Sequence, residues 1–432
     1  LVIVSALQRS ASRLASNWSA VLGRSGRKAM RIRELSPFMR RLGFGLAAAG
    51  LGVVCLASAG CKPAASANST DDGSSVAEGS GSKDAKEREL PSDEEFLKQI
   101  DDVLDFTYEK RRLSLADQAA WQIIHGSMAF GRQYPVKDGD KVVSAVDHVL
   151  AGGKMNGWNL VQGDLLDEKT GRYGVRSVME AGTKTGQGHA DQWLGYLSYC
   201  NIPLSEKLVV EGKDYTLEDM LLQAEKDVNR NPLREYSWTL MALTTYRPTD
   251  YKWIAGDGQE WSIEKLVEIE LEHSLDSSPC GGTHRMVGLT MARNKHLEAG
   301  GKLEGVWKKC DERIQECIAK AREYQNPDGS LSSNYLQRPG KSADLASSMG
   351  SAGHVMELLT TAMTKEELEQ PWVKQGVYKV TEIFRKTKPI DMECGALFHA
   401  AHGLILYREK MYGPRTFPAS AESKPAEQTA AK

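Results

Sequence analysis

The chain has 432 residues, 41% hydrophobic and 26% charged, with 40 glycines and 15 prolines, a globular composition that excludes fibrous, wholly disordered and polytopic membrane proteins. Its 55 basic residues nearly match its 57 acidic ones, yet nine of the basic residues and a single acid, Glu34, fall within positions 1–61. The remainder holds 46 basic against 56 acidic residues, a net charge of −10, which argues against nucleic acid as a partner, because phosphate neutralisation needs a basic face.

Residues 1–38 are rich in Ser and Arg and lie upstream of a complete export signal that starts at Met30 or Met39; they read as a mis-assigned upstream extension. Residues 39–60 carry two arginines, an apolar stretch the length of a signal h-region, and the small residues Ser58-Ala59-Gly60 before Cys61. This resembles a lipoprotein signal peptide. The resemblance implies cleavage before Cys61, lipidation of its sulfur, and export to the periplasmic or extracellular face of the cell envelope, with the membrane as partner. Ser58 stands where such signals usually carry leucine, so a plain secretory signal or an uncleaved anchor is the alternative. Residues 61–89 have almost no large apolar side chain and are expected to form a disordered tether, as are 414–432 a disordered tail. That leaves 90–413 as the folded domain. Five of the seven cysteines fall in it. Cys310 and Cys317 are about 10 Å apart along one helix, beyond disulfide reach, and no disulfide framework is expected.

From residue 90 onward strand signals are weak and helical periodicity is strong, alternating in kind. A Ser92-x-x-Glu95 capping box opens an amphipathic helix whose stripe is Phe96, Ile100, Val103 and Thr107. An apolar segment follows near 115–129, then amphipathic 140–151 and apolar 187–200, amphipathic 216–229 and apolar 235–247, amphipathic 262–274 and apolar 281–294. Trp307, Cys310, Ile314, Cys317, Ala321 and Tyr324 make the next stripe, before an apolar segment near 346–363. Val373, Val377, Val380 and Phe384 make the last, before 393–411. The order is outer helix then inner helix, six times. Gly212-Lys-Asp-Tyr-Thr-Leu-Glu-Asp-Met-Leu221 aligns with Gly258-Gln-Glu-Trp-Ser-Ile-Glu-Lys-Leu-Val267 at a spacing of 46 residues, within the range of helical-hairpin repeats. The expected fold is all-α, an (α/α)6 toroid of six hairpins, with an open solenoid as the alternative.

Tyr324-Gln-Asn-Pro-Asp-Gly-Ser-Leu331 is similar to the Gln-x-x-Asp-Gly-Ser-Trp turn between helices of cyclase repeats, and Gly256-Asp-Gly-Gln-Glu-Trp261 is a looser echo. On these residues the chain resembles the α/α-toroid superfamily of terpenoid cyclases, protein prenyltransferases and lanthionine cyclases. Asp101-Asp-Val-Leu-Asp105 matches the metal-diphosphate motif of class I terpene synthases, although on an outer helix a charged, solvent-facing stripe is the ordinary reading.

Parallel inner helices would bring their N-termini to one mouth, where the helix dipoles favour anions. Five of the six inner segments carry histidine: His125, His189, His284, His354, and the pair His399 and His402. Taken singly, a core histidine bonded to backbone is the ordinary reading of each. For acid–base chemistry the mouth offers His189, His284, Glu393 and Tyr236. Asp191, Trp193, Glu235, Trp238, His354 and Glu357 would line the cavity, with Glu180 a further carboxylate and Trp121 a further aromatic. Cys280-Gly-Gly-Thr-His284 and the pair His399 and His402 offer thiolate and imidazole ligands that would suit zinc. This resembles the zinc of prenyltransferases and lanthionine cyclases, without the Asp-x-Cys of the former or the adjacent Cys-His of the latter. The expected function is an exported, lipid-anchored toroid that binds a glycan or other small-molecule ligand in its central cavity. The alternatives are a polysaccharide lyase or hydrolase, where acids transfer protons and aromatic faces stack on sugar rings, and a zinc-dependent enzyme.

Overall fold

In the computed structural model of the chain, residues 90–231 and 233–417 are described; residues 1–89, with the expected upstream extension, export signal, Cys61 and tether, and the residues from 418 onward lie outside them. The described chain is mainly helical, with four small sheets. It runs α1 (Asp93–Lys110), α2 (Ala120–Phe130), β1 (Pro135–Asp138), β2 (Lys141–Ser144), α3 (Ala145–Leu150), β3 (Trp158–Asp167), β4 (Arg172–Met179) and α4 (Gln192–Tyr199). There follow β5 (Lys207–Val210), β6 (Lys213–Thr216), α5 (Leu217–Asp227), α6 (Ser237–Tyr246), β7 (Lys252–Ile254), β8 (Glu260–Ser262), α7 (Ile263–Glu272) and α8 (Thr283–Glu298). The chain then continues through α9 (Gly305–Glu323), α10 (Leu345–Ala362), a single turn α11 (Lys365–Leu368), α12 (Pro371–Lys386) and α13 (Cys394–Tyr412).

The two kinds of helix bury different amounts of themselves. Helix α9 buries only Trp307, Cys310, Ile314, Cys317 and Ala321, and α12 buries one stripe from Val373 to Phe384, as an amphipathic helix on a core surface should. By contrast, every residue of α13 from Cys394 to Ile405 is buried. Six such buried helices pack in sequence, α2 on α4, α4 on α6, α6 on α8, α8 on α10 and α10 on α13, and α13 packs on α2. Small residues set the closest of these contacts: a Cβ on Gly353 of α10 would come within 2.5 Å of the Ala400 backbone nitrogen of α13.

The weak strand signal proves misleading. Each sheet is an antiparallel two-stranded hairpin, and three of the four lead directly into an amphipathic helix. The 46-residue similarity therefore marks more than a helix start. In both copies it spans the end of a hairpin turn, one strand, a capping residue (Thr216 or Ser262) and the first turns of α5 or α7. The β5–β6 turn is the two-residue Glu211-Gly212, both with positive φ (50° and 77°), the conformation that matches strand twist in short hairpins. Asp138-Gly139-Asp140 and Glu211-Gly212-Lys213 were the legible signals, outweighed by the helical pattern on either side. The fourth hairpin, β3–β4, fills much of the long stretch 152–185. The acidic motif of α1 is also not a free solvated face: Asp101 pairs with Arg408 and Arg415, and Asp105 with Arg415. The five described cysteines are buried and none forms a disulfide.

Candidate functional site

A cavity of about 560 Å³ opens where the buried helices begin. The first turns of α2, α4, α8, α10 and α13 contribute Trp121, Gln192, His284, Ser347 and Ala396. Asp344 and Glu393 stand on its exposed rim, each accepting two backbone N–H groups of the helix it caps. Its floor is made by His125, His189, His284, His354 and His399, all buried.

Each of these rings is oriented by what its Nδ1 meets. His125 donates to the Trp121 carbonyl at 2.5 Å and His354 to the Gly350 carbonyl at 2.7 Å. A carbonyl only accepts, so Nδ1 carries the proton and Nε2 is the basic nitrogen. His189 Nδ1 lies 3.0 Å from Glu235 Oε2. His399 and His402 both direct Nδ1 to the carboxylate of Glu357, at 2.9 and 2.8 Å. His354 and His284 bring their Nε2 atoms to 3.2 Å, and the His354 ring stacks on His399 at 3.7 Å between centroids. Nδ1 of His284 has no hydrogen-bond partner among the described residues.

Burial governs the protonation of this cluster. Desolvation pushes His125 down to about 4 and His284, His354 and His399 below the ordinary histidine range, so all four are neutral at pH 7. Burial pushes Glu235 up most strongly, but the bond to the His189 ring together with the charges of His189, Arg285 and His273 outweighs it and leaves the carboxyl below the usual glutamate value. Behind Glu235, the buried Glu270 of α7 accepts from Tyr236 N, Ser237 Oγ and Arg285 Nη1 at 2.7, 3.0 and 2.7 Å. The start of α6, and with it Glu235, is thereby held in place.

Several expected residues fall elsewhere than the pattern predicts. His189 precedes α4 rather than lying on it. Cys280 and His284 do not share a helical face, because α8 starts at Thr283 and Cys280, Gly281 and Gly282 are all left-handed, with φ of 51°, 63° and 74°. His399 and His402 turn to Glu357 instead of joining Cys280. The donor atoms gathered within 4.8 Å of one another are those of Cys280, His284 and His354, and those of His189, Glu235 and His284. The reason is neighbourhood: α8 packs against α10, which carries His354. Tyr236 and Asp191 line a second cavity of about 260 Å³ that shares only His189 with the first. Trp193 and Trp238 are buried and touch other aromatic rings, Trp158 and Tyr196 respectively, rather than the main cavity. Glu180 is exposed after β4.

The pattern gave no sign of Gln187 or Tyr335. Gln187 arrives on the loop after β4, where its carbonyl accepts from Trp158 Nε1 at 2.8 Å. Tyr335, with φ 55°, comes from the loop after α9, over Gly281, where a Cβ would lie 2.5 Å from that of Tyr335. Asn326 and Asp328 of the cyclase-like turn brace that loop through bonds to Ser330, Gly340 and Lys341. Comparison with protein-family models, with curated proteins and with solved structures finds no match to this chain.

Proposed function

We propose that this chain is a cell-envelope enzyme, exported and lipid-anchored through Cys61, that binds a glycan at the mouth of a six-hairpin α/α-toroid and cleaves it by acid–base chemistry. Support for the toroid is the cyclic order of packing, in which α13 returns to α2. Anchoring rests on the signal-like residues 39–61; none of the described helices is long and apolar enough to cross a membrane. One observation carries the preference for turnover over binding alone: His189, which lines a cavity that reaches solvent, lies 3.0 Å from Glu235, buried behind it and not itself part of the lining. Glu235 orients the ring and makes Nε2 the basic nitrogen, the geometry of a general base. Around it, Trp121 and Tyr335 supply aromatic faces, and Gln187, Asp344 and Glu393 supply polar groups suited to hydroxyls.

The test is a panel of neutral and uronate-containing polysaccharides, assayed for new unsaturated or reducing ends and for saturable binding. His189→Ala and Glu235→Gln should each lower turnover about 100-fold or more, the usual worth of a positioned base, with the unfolding midpoint retained. Absence of both cleavage and binding across the panel overturns the reading. Binding without cleavage, unchanged in both variants, leaves a lectin-like carrier in its place.

A further inference from the structure

We infer that Cys280, His284 and His354 form a binding site for a single divalent transition-metal ion, zinc by the chemistry of the donors, with one coordination position open to the cavity. The site shares its cavity with the proposed enzyme and rests on that reading only for the ion's use, not for its binding. Three donor atoms on two packed helices and the turn before one of them come within 4.8 Å of one another. The hydrogen bond from His354 Nδ1 to the Gly350 carbonyl presents Nε2 as a lone pair, and a backbone-oriented imidazole is the usual outer support of a metal ligand. Nε2 of His284 faces it at 3.2 Å. Two nitrogens on a tetrahedral zinc, each about 2.0–2.1 Å from the ion, stand about 3.3 Å apart, so the rings already sit close to the spacing of a shared ion.

The backbone supplies an independent observation. Cys280 adopts φ 51° and ψ 36°, a conformation disfavoured for a residue with a Cβ and found mainly where the surroundings impose it. Two left-handed glycines follow it, and Tyr335 closes over the second residue of the three. The turn thus spends conformational freedom on placing one thiol against two imidazoles. One sulfur and two nitrogens are a borderline-soft set that fits zinc better than magnesium or calcium. Beside the site, Glu235 adds negative charge near His284 and His189, which offsets part of the positive charge left when a single thiolate binds a divalent ion. The solvent-reached cavity provides the entry path and room for a water or substrate oxygen as fourth ligand.

The full chain, equilibrated with excess zinc and desalted, should carry about one zinc per molecule by elemental analysis. Cobalt in its place should show a thiolate-to-metal charge-transfer band in the near ultraviolet, which reads the Cys280 ligand directly in the unmutated protein. Cys280→Ser should abolish that band, and His354→Ala should lower zinc affinity at least tenfold. His399→Ala, in the same cavity, should keep both, with circular dichroism confirming the fold of each variant. No metal in the unmutated chain, no thiolate band with cobalt, or an equal loss in folded His399→Ala overturns the inference. An active chain without metal defeats this site alone, whereas a zinc-loaded chain inert on every polysaccharide defeats the enzyme reading alone.

Discussion

Glu357 is 4% exposed and accepts Nδ1–H bonds from both His399 and His402. Replacing it with alanine leaves two buried donors unpaired, at about 1–3 kcal/mol each. Glu357→Ala should therefore lower stability by about 2–6 kcal/mol, visible as a shift in urea midpoint; a change below about 1 kcal/mol would mean that the two rings find other acceptors. At this scale the sequence was half legible. Histidines recurring on five apolar segments pointed to a shared site, and the cavity collects five of them. Which nitrogen each presents was invisible, because Trp121 O and Gly350 O are backbone groups that exist for every residue type. The pairing of His284 with His354 rather than His399 depends on which helix lies next to α8, a relation no spacing along one chain encodes.

Among the elements, the α10–α13 contact is the tightest, with Gly350 against Ala396, Gly353 against Ala400 and Gly403 against Met356. Gly353→Ala sets a methyl within 2.5 Å of the Ala400 nitrogen and 2.9 Å of the His399 carbonyl carbon. Because these are backbone atoms, the helices must separate. A loss of about 1–3 kcal/mol is expected for overpacking, and the shift of His399 should also disturb its contact with His354. The check is thermal unfolding together with the structure of the variant. An unchanged midpoint would show that α10 and α13 slide without cost. The small residues of both helices were read as buried from their lack of a polar face, and burial is continuous from Met349 to Thr360 and from Cys394 to Ile405, while Ser347 and Glu409 towards the ends are exposed. Three of the hairpins were not read, since strands of three or four residues hold too few alternations to stand out beside the helices that follow them, and the longer pair β3 and β4 was passed over with them. The loop after β4, with Gln187 and His189, and the loop after α9, with Tyr335, supply cavity walls, whereas the apolar pattern of 187–200 put His189 on an inner helix and gave no sign of Tyr335.

For the molecule as a whole, a buried neutral histidine core makes stability depend on pH. His125 falls from 6.5 to about 4 because burial penalises its charged form. The unfolded chain binds that proton as pH drops below 6.5 while the folded chain does not, so stability is complete above that value and declines as pH falls from about 6.5 towards 4. His125 alone is worth up to about 3 kcal/mol across this window. In protein stripped of metal, the urea midpoint should fall between pH 7 and pH 5, and His125→Asn should flatten the decline. A midpoint constant over that range would place a proton-accepting partner near Nε2.

The alternation of one-striped and fully apolar segments determined, without any structure, that the chain is mainly helical and which segments are buried, because burial of apolar surface is local enough to be written in periodicity. The sequence excluded a Cys310–Cys317 disulfide by spacing, and in the structure all five described cysteines are free. What only the tertiary structure decided is the site. Cys280 meets His284 and His354 through a left-handed turn and a neighbouring helix, His189 meets Glu235 across 46 positions, and Tyr335 closes over Gly281 from a loop. These contacts follow from which surfaces pack together, and packing is a property of pairs of elements in space rather than of any one stretch of chain.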